Sequence, residues 1–241
     1  MNPPELSSET ISAFRANGFA ALPRLIDDAD LALLSQTYDQ LLSGELDTTG
    51  SRDGLLGDVT RQLVGPEHAN DLFRDNAALD AGRHIATQLF DWQPTFLYSQ
   101  LLYKPAGHPH ETPWHQDAAY THMPFTRAGS PTPPVTAQFW LALDDADEEN
   151  GCMHFHAPTG AEGLLPHYVV SGGNDNTARL LGLVDPEAHI DPAQVTACPL
   201  SAGSATVHVG SALHYTPANR SSRPRRAYIF NFADRAYVEK H

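Results

Sequence analysis

The spacing of apolar residues changes near Phe96, and this change limits the folds that the chain can adopt. Before Phe96, apolar side chains recur three or four residues apart, which is the spacing of one helix face. After it, short runs rich in β-branched and aromatic residues are separated by Pro and Gly clusters, as in antiparallel strands. Helices followed by many strands predict an α+β chain whose strand-rich part is a sandwich or barrel.

Element boundaries follow from capping residues and turn residues. The predicted N-caps are Ser7 or Ser8 and Asp27 or Asp28, and the predicted stops are Gly18 and Gly44. The predicted helices cover about 7–17, 27–44 and 77–90, with a strand at 18–23 and a polar loop at 44–57. Later strands are predicted at 96–104, 135–143, 152–156, 195–200, 204–209 and 227–233. No break in composition separates these parts, so we expect one domain over 1–241, with a helical part at about 1–92 and a strand-rich core at about 96–235.

Charge and cysteine content exclude several classes of protein. The chain carries 15 Lys and Arg against 29 Asp and Glu, a formal net charge of −14. Nucleic acids and anionic membranes reward clustered basic residues, so we expect neither as a partner. The two cysteines, Cys152 and Cys198, are too few for a disulfide scaffold. The start of the chain resembles no secretory signal and no apolar run is long enough to span a bilayer, so we expect a cytoplasmic protein.

The segment PWHQDAAY, at 113–120, contains a candidate pair of metal ligands. On a strand, residues two apart share a face, so His115 and Asp117 would lie side by side. The same spacing recurs at His189 and Asp191, but prolines flank that stretch and predict a surface loop. Two His-x-His pairs, His108/His110 and His154/His156, could begin a zinc or cupin-like site, although a structural role is favoured for both.

A later histidine completes a ligand set. His214, together with one histidine and one carboxylate from the first segment, would form a facial triad that leaves three positions of an octahedral Fe(II) open. A bidentate 2-oxoacid and dioxygen can fill these positions. The distant carboxylate of the oxoacid then needs a permanent cation, and Arg225, at the start of the strand after His214, can supply it.

These motifs together resemble the phytanoyl-CoA dioxygenase family of Fe(II)/2-oxoglutarate oxygenases. Trp114 to Asp117 resembles its iron-binding stretch, and Trp140 followed by Asp147 to Cys152 resembles its strand and Asn-Gly-Cys turn. The spacing of His214, Asn219 and Arg225 resembles its distal segment. The resemblance runs at least from residue 100 to residue 232. It implies a double-stranded β-helix (a jelly-roll, cupin-like core) with N-terminal and flanking helices.

The resemblance also implies roles for individual residues. It makes His115, Asp117 and His214 the iron ligands and Arg225 the clamp for the side carboxylate of 2-oxoglutarate. Thr216 would share the strand face of His214 and hydrogen-bond that carboxylate, while Trp140 and Gln100 would line the cosubstrate pocket. A plain core position is the alternative for Trp140. Arg61 is a weaker candidate contact, and Arg226 competes with Arg225 because strand alternation lets only one of the two face inward.

The implied activity is a dioxygenase reaction that uses Fe(II), 2-oxoglutarate and O₂ and releases succinate and CO₂. Related halogenases replace the carboxylate ligand with a small residue, so Asp117 favours hydroxylation of a C–H bond. We expect a small-molecule substrate rather than an acyl-CoA, with Tyr120, His122, Met123, Phe125 and Arg127 as candidate contacts. A cupin-like metalloenzyme without 2-oxoglutarate, in which Arg225 is structural, and a non-catalytic small-molecule-binding barrel remain alternatives. The sequence does not indicate an oligomeric state.

Overall fold

The first two helices begin and end at capping residues, as the sequence predicts, and the third begins at a cap that was not predicted. A computed structural model describes residues 3–120, 136–157, 163–171 and 179–239. The side chain of Ser7 accepts a backbone N–H of the first helix, Asp27 accepts two of the second, and Asn76 accepts one of the third. Gly18 and Gly44 end the first two helices in the left-handed region, at φ of 76° and 80°, where glycine carries no steric penalty.

The described residues contain five helices and thirteen strands. The helices are α1 (Ser8–Asn17), α2 (Asp28–Ser43), α3 (Ala77–Leu89), α4 (Pro186–His189) and α5 (Arg235–Val238). The strands are β1 (Phe19–Arg24), β2 (Arg52–Leu56), β3 (Thr60–Val64), β4 (Pro94–Lys104), β5 (Thr112–His115), β6 (Thr136–Ala142), β7 (Met153–His156), β8 (His167–Ser171), β9 (Leu180–Leu183), β10 (Val195–Cys198), β11 (Ser204–His208), β12 (Leu213–Thr216) and β13 (Arg225–Asp234). None of the helices in the described ranges has the length and apolar character needed to cross a membrane.

Two antiparallel sheets form a jelly roll. The larger sheet has the order β1-β11-β6-β13-β4-β3-β2, the smaller sheet has the order β10-β7-β12-β5, and β8 and β9 form a separate pair. The sheets face each other, and Phe19 of the larger sheet stacks on Phe155 of the smaller one with ring centroids 4.5 Å apart. The fold is therefore α+β with a double-stranded β-helix core, which confirms the predicted fold class.

Helix α3 packs on the outer face of the larger sheet, opposite the side that faces the smaller sheet. A Cβ placed on Gly82 of α3 would lie 2.5 Å from the ring of Phe230 and 3.1 Å from the ring of Phe232, so helix and sheet are in close contact there. Alternation along β13 sends Tyr228 and Phe230 toward the helices. Arg225 and Ile229 therefore point between the two sheets.

The predicted loop at 44–57 is wrong in part, because β2 lies within it and forms a hairpin with β3. Arg52 opposes Val64 and Leu56 opposes Thr60 in the antiparallel register. The residues of β2 are largely exposed and carry no alternation of apolar and polar side chains. Pairing with β3, rather than the local sequence, makes this segment a strand. The helical part predicted at 1–92 thus contains three strands.

Other boundaries differ by a few residues. The strand predicted at 227–233 begins at Arg225, the strand predicted at 195–200 ends at Cys198, and the third helix ends at Leu89. Strands β3, β8 and β9 were not predicted from the sequence. Val135, the first residue of the strand predicted at 135–143, lies outside the described residues.

Candidate active site

Two histidines from distant parts of the chain meet on adjacent strands. His115 ends β5, His214 lies in β12, and the two residues oppose each other in the antiparallel register. Their imidazole centroids are 4.1 Å apart, and both side chains are buried between the sheets. The fold thus places the two predicted histidine ligands side by side.

Asp117 joins the histidines, but not by the route that the sequence predicted. Strand β5 ends at His115, and Asp117 begins a 3₁₀ turn rather than occupying the next inward strand position. Its Oδ1 lies 3.6 Å from the Nε2 of His115 and 3.6 Å from the Nε2 of His214. The three ligand atoms lie within 4.8 Å of one another, and they are the one such group of three His, Cys, Asp or Glu side chains found among the described residues. The prediction that the two side chains share a strand face is therefore wrong, although they do converge.

The backbone sets which nitrogen of each imidazole faces the carboxylate. The Nδ1 of His115 lies 2.7 Å from the carbonyl oxygen of Pro113, and the Nδ1 of His214 lies 3.0 Å from that of Ala212. A carbonyl oxygen only accepts hydrogen bonds, so Nδ1 carries the proton in both rings. Both Nε2 lone pairs therefore point toward Asp117, which is the arrangement of imidazole ligands in metal sites.

Electrostatics favour a neutral histidine beside an ionised carboxylate. Burial lowers the pKa of His214 well below its usual value, and the neighbouring His115 lowers it further. Burial raises the pKa of Asp117, but the imidazoles around the carboxylate lower it by more, so the net pKa falls well below its usual range. A neutral imidazole and a carboxylate are the protonation states in which these groups bind metals.

Two further residues, which the sequence analysis missed, hold the other oxygen of Asp117. The Nε2 of Gln138 donates to Oδ2 at 2.6 Å, and the Nε2 of His208 lies 3.0 Å from the same oxygen. His208 is fully buried, and its ring centroid lies 4.6 Å from that of His214. Both residues lie within predicted strands, on β6 and β11. Alternation from Trp140 would have turned Gln138 inward, but no local signal linked either residue to Asp117.

One cavity of about 580 Å³ contains the three predicted metal ligands and the four residues predicted to bind the cosubstrate. Besides the ligand cluster formed by His115, Asp117 and His214, its lining includes Gln100, Trp140, Thr216 and Arg225. The cavity also reaches Tyr98 and Tyr120, and the phenol of Tyr120 accepts a hydrogen bond from the backbone N–H of Leu181. Its volume lies within the usual range for small-molecule pockets.

Arg225 is buried in this cavity, and no residue that the structure describes forms an ion pair with it. Only 1% of its surface is exposed, and its guanidinium carbon lies 5.1 Å from the centroid of the Trp140 ring. Its Nε and Nη1 have no hydrogen-bond partner among the described residues. Burial lowers the pKa of Arg225 to about 10, so the group remains charged at neutral pH. A buried cation with free donors suits an anionic ligand, because unpaired buried charges are costly.

Arg226 faces the opposite way and is already paired. Its guanidinium donates to Asp144 through Nε at 3.0 Å and Nη2 at 2.6 Å, and to Asp39 through Nη1 at 2.8 Å. Arg61, the weaker candidate, forms an ion pair with Asp53 at 2.9 Å, and its neighbour Gln62 lines the cavity instead. Of these three arginines, only Arg225 lines the cavity.

The remaining histidines of the sequence analysis have other surroundings. His108 is buried, and its Nε2 lies 3.1 Å from the Oγ1 of Thr60. The Nε2 of His156 accepts the backbone N–H of Asp191 at 3.1 Å. His189 ends the short helix α4 and is partly exposed. The candidate substrate contacts His122, Met123, Phe125 and Arg127 lie outside the described residues.

Asn219 and Asn150, from the motifs that carry the resemblance, stabilise turns. The carboxamide of Asn219 donates to the carbonyl oxygens of Pro105 at 2.9 Å and Arg223 at 2.7 Å. The side-chain oxygen of Asn150 accepts the backbone N–H of Asp147 at 2.8 Å. These contacts fix the segments that lead into β7 and β13, and so they act on the cavity indirectly.

The ligand cluster fits a divalent transition metal. Two imidazole nitrogens and one carboxylate oxygen form the donor set of non-haem Fe(II) sites, and three donors on one side leave the other side open. A jelly roll with such a cluster between its sheets defines the class of non-haem, metal-dependent jelly-roll proteins. The chain belongs to the phytanoyl-CoA dioxygenase family, whose sequence model matches residues 14–227. The resemblance stated from the motifs is thereby confirmed.

Known relatives agree with this membership. The phytanoyl-CoA dioxygenase domain-containing protein 1 of Danio rerio is 28% identical over 153 residues, which cover 63% of this chain and 49% of the relative. The chain therefore aligns with about half the length of this curated relative. The solved structure of EvdO2 from Micromonospora carbonacea var. aurantiaca, complexed with 2-oxoglutarate, has a TM-score of 0.78 at 29% identity. That match covers 96% of this chain and 92% of EvdO2.

A more distant structure has the same fold. The non-haem alpha-ketoglutarate-dependent epimerase SnoN from nogalamycin biosynthesis has a TM-score of 0.67 at 20% identity, covering 94% of this chain and 81% of SnoN. At this identity the likeness concerns the fold alone. The fold is thus also found in an epimerase.

Proposed function

We propose that this protein is a non-haem Fe(II)/2-oxoglutarate-dependent dioxygenase that oxidises a small molecule. The observation that carries the proposal is that one cavity contains both a three-ligand cluster and the buried guanidinium of Arg225, whose Nε and Nη1 have no partner in the part of the chain that the structure describes. A cluster alone would suit many metalloproteins, but a permanent cation facing it suits a ligand that is anionic at its far end. Family membership and the likeness to EvdO2 support the same choice.

In this proposal, His115, Asp117 and His214 hold the iron. The backbone carbonyls of Pro113 and Ala212 keep the two imidazoles in the ligating tautomer. Gln138 and His208 bind the outer carboxylate oxygen, so Oδ1 remains directed at the histidines. When bound, Fe(II) with 2-oxoglutarate and O₂ supplies the oxidising power, with succinate and CO₂ as coproducts.

Arg225 binds the side carboxylate of 2-oxoglutarate. The guanidinium offers Nε and Nη1, and the hydroxyl of Thr216 lines the same cavity. Trp140 covers one face of the guanidinium, and Gln100 adds a polar group to the wall. Because these side chains are buried, their interactions with a carboxylate act in a region of low dielectric, where they are stronger than in water.

Hydroxylation of a C–H bond is the proposed reaction, because Asp117 occupies the carboxylate position of the cluster. Epimerisation is the second candidate, because this fold also occurs in the epimerase SnoN. Product mass distinguishes the two reactions. A hydroxylated product gains one oxygen atom, and an epimer keeps the mass of the substrate. The identification of a substrate begins with a screen of small acids and amino-acid derivatives for stimulated succinate production.

An anaerobic titration tests the proposal before any substrate is known. Adding 2-oxoglutarate to the Fe(II)-loaded protein should produce the weak visible charge-transfer band of an oxoacid chelated to iron. His115→Ala is the matched control, and it should lose both the band and the iron. Iron retention without a band would favour a cupin-like metalloenzyme that does not use 2-oxoglutarate. Failure of the parent protein to retain iron would favour a non-catalytic binding barrel.

A further inference from the structure

Lys104 is a buried lysine that lies directly behind the proposed cosubstrate pocket. It is the last residue of β4 and opposes Arg225, the first residue of β13, in the antiparallel register. Side chains of directly opposed residues point to the same face of a sheet, so both cations point between the sheets. No surface of Lys104 is exposed, and it lies behind Thr216 rather than among the residues that line the cavity.

Three oxygen atoms surround the Nζ of Lys104. The Oγ1 of Thr216 lies at 2.8 Å, the carbonyl oxygen of Pro217 at 2.8 Å and the carbonyl oxygen of Thr216 at 3.3 Å. An ammonium group has three N–H donors and no lone pair, so these three oxygens match its hydrogen-bonding capacity. Burial of a lysine is otherwise rare, which argues for a specific function of this one.

The direction of the hydrogen bond to Thr216 has a consequence for the cavity. A hydroxyl has one proton, and an ammonium group can only donate. With Lys104 as an ammonium group, Thr216 accepts its hydrogen bond, and the hydroxyl proton of Thr216 is left to point elsewhere. Its other neighbour is the cavity, so Thr216 presents a donor there. A neutral amine at the same place would accept the threonine proton and remove that donor.

The electrostatic balance also favours an anion in the cavity. Lys104 and Arg225 are neighbouring buried cations, and neither has a carboxylate among its hydrogen-bond partners in the described ranges. Burial lowers the pKa of Lys104 well below its usual value, and the charge of Arg225 lowers it further, so an anion bound beside the two groups favours the charged ammonium form of Lys104. A carboxylate between the guanidinium and the hydroxyl of Thr216 would offset both charges.

We propose that Lys104 is a positioning residue for the cosubstrate: it fixes Thr216 as a hydrogen-bond donor to the distal carboxylate of a 2-oxo dicarboxylic acid. The inference rests on the proposed function, because it takes 2-oxoglutarate as the ligand of Arg225. Lys104 itself does not touch the ligand. Its effect reaches the ligand through the hydroxyl of Thr216 and through its charge.

The test measures equilibrium affinity for two oxoacids in the Fe(II)-loaded protein without oxygen. Lys104→Met should weaken 2-oxoglutarate binding about ten- to hundred-fold, the scale of losing a hydrogen bond to a charged group. Binding of 2-oxobutyrate, which lacks the distal carboxylate, should not change. Thr216→Val should weaken 2-oxoglutarate binding to a similar extent, and Thr216→Ser should retain the affinity. The Lys104→Met/Thr216→Val double variant should bind 2-oxoglutarate more weakly than either single variant, but its loss of binding free energy should be smaller than the sum of the two single losses.

Several results would overturn the inference. Equal 2-oxoglutarate affinity in Lys104→Met and the parent would show that the lysine only stabilises the fold, as would an equal loss for both oxoacids. Additive effects in the double variant would separate Lys104 from Thr216. If Lys104→Met does not fold, Lys104→Gln replaces it. We expect this variant to show a smaller loss of 2-oxoglutarate affinity and no loss of 2-oxobutyrate affinity. A parent that binds iron but no 2-oxoglutarate would instead refute the proposed function.

Discussion

The guanidinium carbon of Arg225 lies 5.1 Å from the centroid of the Trp140 ring, and both side chains are buried. A desolvated cation over an indole face is stabilised by about 2 kcal/mol. This contact holds the guanidinium in one orientation and occupies one of its faces, while Nε and Nη1 at its edge have no hydrogen-bond partner among the described residues. Trp140 is thus both a core residue and a wall of the cavity.

Replacing Arg225 should weaken cosubstrate binding without preventing iron binding. Arg225→Met should lose about 2–4 kcal/mol of 2-oxoglutarate affinity, the usual scale for removing one partner of a buried charged hydrogen bond. Arg226→Met is the matched control, because that guanidinium pairs with Asp144 and Asp39 outside the cavity. Anaerobic titration of the charge-transfer band measures the 2-oxoglutarate affinity of both variants. Similar affinities in the two variants would mean that a group other than Arg225 binds the carboxylate of the ligand.

Replacing His208 should weaken the metal site even though His208 is not a proposed ligand. His208→Phe removes a hydrogen bond to the Oδ2 of Asp117 and so loosens the carboxylate. Loss of such a supporting contact typically costs ~10–100-fold in metal affinity. Competition with a chelator under anaerobic conditions measures this affinity. His156→Phe, a change of another buried histidine that does not contact Asp117, should leave it unchanged.

Adding one methyl group to α3 should destabilise the fold. Alanine has a higher helix propensity than glycine by about 1 kcal/mol, so helix propensity alone predicts stabilisation by Gly82→Ala. The added Cβ would instead lie 2.5 Å from the ring of Phe230, and overpacking of this kind costs about 1–3 kcal/mol. We therefore expect a net loss in the free energy of unfolding, measured with urea. Gly54→Ala, which meets no atom within 4 Å, should show no such loss.

His108 should make stability depend on pH in the acidic range. Burial, with a contribution from Lys104, lowers the pKa of His108 to about 4 from an ordinary value of 6.5. Between these two values the unfolded chain binds the proton more readily, so the free energy of unfolding falls as pH decreases from about 6.5 to about 4. Above about pH 6.5, the contribution of His108 to the free energy of unfolding is complete and no longer changes with pH.

The variant His108→Asn should remove this contribution. Its free energy of unfolding should fall less steeply than that of the parent as the pH decreases through the window. Urea denaturation at several pH values measures the difference. Parallel profiles for the two proteins would mean that His108 titrates normally in the folded state.

The sequence by itself determined the elements that depend on local chemistry. Ser7, Asp27 and the glycines after α1 and α2 set the helix ends, because capping involves atoms only a few residues apart. The change of period near Phe96 indicated the strand-rich core. Strand alternation predicted that only one of Arg225 and Arg226 faces inward, and the resemblance favoured Arg225, which is the one of the two that lines the cavity.

Only the tertiary structure decided the contacts between distant segments. Strand β2 exists because it pairs with β3, and Asp117 reaches the histidines through a 3₁₀ turn that the strand pattern did not reveal. His208 and Lys104 belong to the larger sheet and contact Asp117 and Thr216 across the space between the two sheets, and nothing in their own surroundings in the sequence marks them. Local periodicity records which face of an element is buried. It carries no information on which other element covers that face, because that depends on how the whole chain packs.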